Sequence, residues 1–438
     1  MLVAALALAL PIGVAFADWL QPDASLREAQ TMLRFAARDT AGHADDPARL
    51  DTLAVSLLRV GRLADAGAVF RRTLELRPGD DGAEAGLGKI ALFADRLAEA
   101  ESLLAGAGTL PGADYDLYAT KLRRGDLTGA AALCEAAGEA GRAPLLRALA
   151  ERGAYRVTAG PDEVKVPWTA GYPVPLVRVK LNGKPVLMAL DTGSRDLLID
   201  ASAARLTGIE AVEGQSPVFW SGTRLSVRNA IVQKLEIGGL TIQTLPAGIT
   251  TLRKWSLQIH PRAEKVVGVI GLGFLRAFTP TFDYKAQTLT LRRGAATFTP
   301  GTQAQRVPFE TWGESELTVY GSLAGGRRMA MVVQSGVPEC GVGAPLEVFE
   351  EIGVRPGMMS RAVKGAGVWL TGRPWLALNV PTVALGPVVE DKVPGWSGAL
   401  DSGELWRHGV RRDALLSHDF FKGRRVTYDW AAHELVFE

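Results

Sequence analysis

Ala189-Leu190-Asp191-Thr192-Gly193-Ser194 is the stretch whose reading decides the fold. The residues before it, Val186 to Leu190, are apolar without a break, as expected of a strand buried on both faces. An acid, a small hydroxyl residue and a glycine then end that strand in a turn. Glycine lets backbone amides come close to the carboxylate, and an acid held in that way is placed for proton transfer. Asp191, Thr192, Gly193 and Ser194 are the first candidate catalytic residues.

The surroundings of this turn occur twice. Val166-Pro167-Trp168 returns as Val307-Pro308-Phe309, and an alternating strand follows each, Pro175 to Leu181 and Leu317 to Leu323. Hairpin signals come next, Asn182-Gly183-Lys184 and Gly325-Gly326. The strands after them, Val186 to Leu190 and Met329 to Val333, end at Asp191-Thr192-Gly193 and at Gln334-Ser335-Gly336. Downstream, Gly271-Leu272-Gly273-Phe274-Leu275 and Thr281-Phe282-Asp283-Tyr284 align with Ser417-His418-Asp419-Phe420-Phe421 and Thr427-Tyr428-Asp429-Trp430. The offset drifts from 141 (Val166 to Val307) through 143 (Asp191 to Gln334) to 146 (Thr281 to Thr427), as a diverged tandem duplication does. The duplication divides the β region into 160–296 and 303–438.

The region from Val164 to Glu438 resembles the retropepsin-like and pepsin-like aspartic peptidases. The resemblance implies a bilobal all-β acid-protease fold without cofactors, acting on a peptide or protein substrate. Two aspartates, one from each half, face each other there and share a proton, because like charges so close do not both ionise. One takes a proton from a water that attacks the peptide carbonyl, and the other gives one. For this chain the resemblance makes Asp191 one of the pair. It has Thr192 hydrogen-bond across to the partner turn and Ser194 bond the outer oxygen of Asp191. It also places a flap hairpin at Pro217 to Leu225, with Ser221-Gly222 at its tip and Trp220 lining the substrate pocket. The matching hairpin of the second half is Lys364 to Arg373. Asp283 and Asp429 close strands and are assigned structural roles.

The chain departs from that pattern at the second acid. Gln334 stands there, neutral and one methylene longer than aspartate, with Ser335 and Gly336 after it and Val337 where the first half has Ser194. Its amide is expected to hydrogen-bond the Asp191 carboxylate without relaying a proton. Ala399-Leu400-Asp401-Ser402-Gly403 copies the first motif in letters. Only 16 residues separate Asp401 from Ser417, which leaves no room for a flap, so it is taken as a surface turn.

Before the β region, 25–153 is rich in Ala, Leu, Arg and Glu with apolar residues at helical spacing. Leu53, Ala54, Leu57, Gly61, Ala66, Phe70 and Pro78 stand at tetratricopeptide spacing, and Leu87, Gly88, Ala91, Ala100 and Leu104 repeat it 34 residues on. A shorter third copy runs from Leu117 to Ala137. The segment resembles a short tetratricopeptide array, which implies a protein partner on its concave face. The fold class is therefore α then β: a helical repeat array followed by the bilobal β region.

Among 438 residues, 47% hydrophobic and 22% charged with net charge +2, there is no basic excess for nucleic acid. Cys134 and Cys340 lie far apart, and no two of the five histidines have metal-ligand spacing, so no metal site is predicted. Residues 1–17 read as a signal peptide, with an apolar run Leu2 to Leu10 and Ala15-Phe16-Ala17 before the cut. Export to the periplasm or medium follows, with no integral membrane segment after signal removal. The expected function is that of an exported aspartic-type endopeptidase working through Asp191, weakened by Gln334. The alternative is an inactive pseudopeptidase, a peptide-binding or adaptor protein of the cell envelope.

Overall fold

Helices come first and strands follow. The computed structural model describes residues 26–107, 110, 112–220, 223–259, 264–293, 298–356, 375–400 and 405–438. The signal segment 1–17, the flap tip Ser221-Gly222 with the Trp220 side chain, the hairpin Lys364 to Arg373 and the turn Asp401-Ser402-Gly403 lie outside them. No helix among the described residues is long and apolar enough to cross a membrane.

The helical unit holds α1 (Leu26–Ala41), α2 (Pro47–Arg59), α3 (Leu63–Leu76), α4 (Asp81–Phe93), α5 (Leu97–Gly106), α6 (Ala113–Arg123) and α7 (Leu127–Leu133). Asp46, Asp80 and Asp126 cap α2, α4 and α7 by accepting N–H groups that the first turn leaves unpaired. Successive helices pack as α2/α3, α4/α5 and α6/α7. Buried Phe70 of α3 lies on Gly86 of α4, and Leu104 of α5 fills the notch at Gly88, where a Cβ would stand 2.6 Å from its Cγ. A small residue facing a large one lets two helices approach closely.

The second unit begins at Gly141. Helical spacing predicts one helical region over 25–153, yet its last helix, α8 (Ala143–Arg152), packs on strands of the β unit. The strands are β1 (Arg156–Ala159), β2 (Glu163–Pro167), β3 (Leu176–Leu181), β4 (Lys184–Leu190), β5 (Leu197–Asp200), β6 (Ala211–Trp220), β7 (Thr223–Ile237), β8 (Leu240–Thr250), β9 (Val266–Ile270) and β10 (Thr279–Asp283). They continue as β11 (Thr288–Arg292), β12 (Gln305–Trp312), β13 (Glu316–Leu323), β14 (Met329–Val333), β15 (Val342–Ala344), β16 (Leu376–Leu385), β17 (Val388–Ser397), β18 (Ala414–Leu416), β19 (Arg425–Asp429) and β20 (Glu434–Phe437).

Six of them close a barrel in the order β3-β4-β9-β5-β8-β7, since β7 also pairs with β8 and β3. Six others close a second, β13-β14-β18-β15-β17-β16. Taken in that order, the pairings agree in sense around both rings. β4/β9 and β5/β8 are parallel, as are β14/β18 and β15/β17, and the remaining pairs are antiparallel. Strands β4 and β14, buried along nearly their whole length, carry the uninterrupted apolar runs that precede Asp191 and Gln334.

An antiparallel sheet ordered β2-β11-β10-β19-β20-β12 joins the barrels. At its centre Thr281 faces Thr427, and their hydroxyls hydrogen-bond at 2.7 Å. At its two sides Trp168 N–H donates to Gln287 O at 2.8 Å and Phe309 N–H to His433 O at 2.9 Å. Asp283 and Asp429 accept the amides of Ala286 (2.7 Å) and Ala432 (3.0 Å), so both close hairpin turns.

Candidate active site

Two strand ends meet at the site. Asp191 follows β4, whose parallel neighbour β9 supplies Ile270 O to its N–H at 3.1 Å. Gln334 follows β14, whose parallel neighbour β18 supplies Leu416 O to its N–H at 2.8 Å. The hydroxyl residues next along lock the turns together. Thr192 Oγ1 donates to Val333 O at 3.0 Å and accepts Ser335 N–H at 3.0 Å. Ser335 Oγ donates to Leu190 O at 3.4 Å and accepts Thr192 N–H at 3.0 Å. Both side chains are buried, where four reciprocal bonds in a low dielectric fix geometry firmly.

The Asp191 carboxylate, 8% exposed, takes one backbone amide from each turn on Oδ1: Gly193 N–H at 2.8 Å and Gly336 N–H at 3.0 Å. The glycines are sterically required. A Cβ at Gly336 would overlap the carboxylate, and one at Gly193 would stand 2.7 Å from Gln334 Cγ and 3.1 Å from Asp191 Oδ1. Burial pushes the acid up to about 6, and the two amides, which favour its charged form, hold it back from rising further.

Two expected contacts take another course. Gln334 does not bond the carboxylate; its side chain lies against Gly193, and the amides that reach Oδ1 belong to the backbone. Ser194 Oγ donates to Asp196 O at 3.0 Å rather than to Asp191, because the chain turns back on itself after Gly193.

Residues 271–273 fasten that loop. Leu272 N–H donates to Ser194 O at 2.7 Å and Gly273 N–H to Arg195 O at 2.9 Å. In the second half Ser417 Oγ donates to Val337 O at 3.0 Å instead. The hairpin expected as a flap spans β6 and β7, which pair Pro217 with Ser226 and Val218 with Leu225. The loop after Gln334 carries Glu339, which lines a groove of ≈ 450 Å³ with Leu378, Asn379, Pro394 and Trp396. Trp396 Nε1 donates to Glu339 O at 2.7 Å and braces this wall.

Residues 177–274 match a family model for aspartyl proteases. The matched stretch contains the Asp191 turn, β6, β7 and the 271–273 fastener. No curated protein matches the chain. Among solved structures, basic 7S globulin from soybean is similar at 9% identity and TM-score 0.38, over 63% of this chain and 94% of the globulin. The protein edgp is similar at 12% identity and TM-score 0.39, over 64% of this chain and 95% of its own.

Sequence reasoning passed over three residues. Arg142 and Asp196, 54 residues apart, form an ion pair at 2.8 Å that anchors the loop after Ser194. Nothing in their spacing announces it. Tyr428 stands where the first copy has Phe282 and is buried beneath the turns. Burial drives its phenol far above the usual range; a hydrogen bond with Thr192 opposes this and the Asp191 charge adds to it. The substitution of a phenol for a phenyl in the aligned copies was the available signal.

Proposed function

We propose that the chain is an exported, bilobal aspartic-type peptidase hydrolysing peptide bonds with a single carboxylate. The observation that carries this is Asp191 itself: buried, shifted toward neutrality, and held by one glycine amide from each turn. The matched senses of six barrel pairings, the Thr281–Thr427 contact and the family match over 177–274 support reading the halves as copies of one lobe. Phe70 on Gly86 and Leu104 on Gly88 support a tetratricopeptide-like array before them. The apolar segment Leu2 to Leu10 and Ala15-Phe16-Ala17 support export.

In this reading the Asp191 carboxylate takes a proton from a water, whose oxygen attacks the peptide carbonyl. The protonated acid then returns that proton to the departing amine, so one group serves as base and acid in turn. The Gln334 amide donates to the carbonyl oxygen as it gains charge. A base that titrates at about 6 gives a rate that rises with pH through 6. The test is cleavage of a degenerate peptide library between pH 4 and 8 by the mature chain and by Asp191→Ala. A loss of about 10³-fold or more in the variant is expected. Equal cleavage by both sinks the proposal.

One observation favours the second reading, a peptide-binding pseudopeptidase: Gln334 occupies the place of the second acid. Peptide retention without cleavage by both proteins in the same assay would establish it.

A further inference from the structure

The helical unit contains two pieces from far along the chain, Thr311–Glu314 and 405–412. They lie on the first helix of each pair. Trp312, wholly buried, stacks on Phe93 of α4 with centroids 4.8 Å apart and planes at 15°. Lys89 of α4 and Asp116 of α6 form an ion pair at 2.6 Å with both side chains under 5% exposed, at 4% and 2%. The same Lys89 Nζ donates to His408 O at 3.2 Å. Arg123, at the end of α6, donates to Thr311 O at 2.7 Å and Gly313 O at 3.2 Å. Arg59, at the end of α2, lies over the Trp406 ring at 5.1 Å, and its carbonyl accepts Arg411 N–H at 2.9 Å.

Sequestering a lysine and an aspartate costs several kcal/mol unless each keeps partners. Here the cation is turned toward a main-chain carbonyl, a second cation takes two more carbonyls, and an aromatic shelf receives a tryptophan. Donors to backbone oxygens beside an aromatic pocket are the chemistry of peptide recognition.

We propose that the face made by α2, α4 and α6 is a peptide-recognition surface whose ligand is built in: the segments 311–314 and 405–412 of the same chain. An outside partner meets that face already covered. Segment 405–412 runs through Asp413 into β18, whose Leu416 O accepts the Gln334 N–H. Segment 311–314 runs into β13, the neighbour of β14. Occupation of the helical face therefore sets both strands that flank the one delivering Gln334.

Hydrogen–deuterium exchange by mass spectrometry on the full chain tests this. In Lys89→Met and Trp312→Ala, amides 405–416 and 330–335 should exchange at least about 10-fold faster than in the wild type, while 186–192 and 266–271 stay unchanged. Unchanged exchange in 405–416, or uniform acceleration of all four stretches, overturns the proposal. Should either variant fail to fold, Arg59→Gln takes the cation off the Trp406 ring at the rim. It is expected to loosen 405–412 about threefold, and no change there also overturns it.

Discussion

Thr192 and Ser335 treat each other alike: each donates its hydroxyl to the strand before the opposite turn and accepts the opposite amide. The residues just before them are treated differently, for one turn carries a buried acid and the other a glutamine. The joint between the turns is built from hydroxyls, glycines and main chain, and no bond of it passes through the second acid. With an amide rather than an acid at 334 the joint stands, and the pocket holds one carboxylate instead of two, of which one would have to stay protonated. A neutral side chain at that place carries no proton of its own, and the architecture does not depend on it. Chemistry and architecture can therefore be broken separately.

The largest effect is expected from restoring the symmetry. Gln334→Asp shortens the side chain by one methylene and sets a second carboxylate opposite the first, with the main-chain amides already in place. The pair then shares a proton, one acid titrating well below the other. Hydrolysis of a peptide substrate at pH 4 to 5 should rise about 10³-fold over the wild type, the scale of adding a positioned general acid. The optimum should move to the acid side. An unchanged rate and an unchanged optimum, measured side by side, would show that the two turns are not equivalent.

What the residues disclosed before any coordinates follows the same division. Close main-chain approach leaves glycines, hydroxyls and apolar runs in the sequence, so the two turns that meet at Asp191 and Gln334 were legible as turns after buried strands. So were the closing roles of Asp283 and Asp429, because an Asx turn is local. The path of Ser194 was not, since its acceptor depends on how the chain folds back after Gly193. Nor was the placement of Gln334, whose side chain lies against Gly193 while main-chain amides bond the carboxylate. The Arg142–Asp196 pair and the Lys89–Asp116 pair join residues with no period between them, and only packing brings them together. The stacking of Trp312 on a helix is likewise a long-range contact that no pattern encodes.

The joint is the next thing to break. Thr192→Val and Ser335→Ala each delete a hydroxyl that serves one carbonyl and one amide in a buried place. Each orphaned group costs about 1–3 kcal/mol, so either variant should lose about 4 kcal/mol of stability in urea unfolding. The reciprocity predicts losses of similar size, and the double variant should lose less than their sum, because each residue also bonds the other's amide. A clear inequality would mean that one turn alone carries the joint.

The smallest effect concerns the acid that remains. Asp191 titrates at about 6 in the folded chain against 3.8 for the free side chain, chiefly through burial. A raised pKa means that the folded state holds its proton more tightly than the unfolded one between those values, so stability falls as pH climbs from about 4 to 6. Below 4 the penalty is absent, and above 6 it is present in full. Asp191→Asn keeps an oxygen to accept the Gly193 and Gly336 amides and removes the titration. The variant should match the wild type at pH 4 and exceed it at pH 7 by at most about 3 kcal/mol, while losing hydrolysis. Thermal unfolding of both proteins across that range decides it. Parallel curves would mean that the carboxylate is solvated at neutral pH, and the site would then lack the one property that sets Asp191 apart from its neutral counterpart.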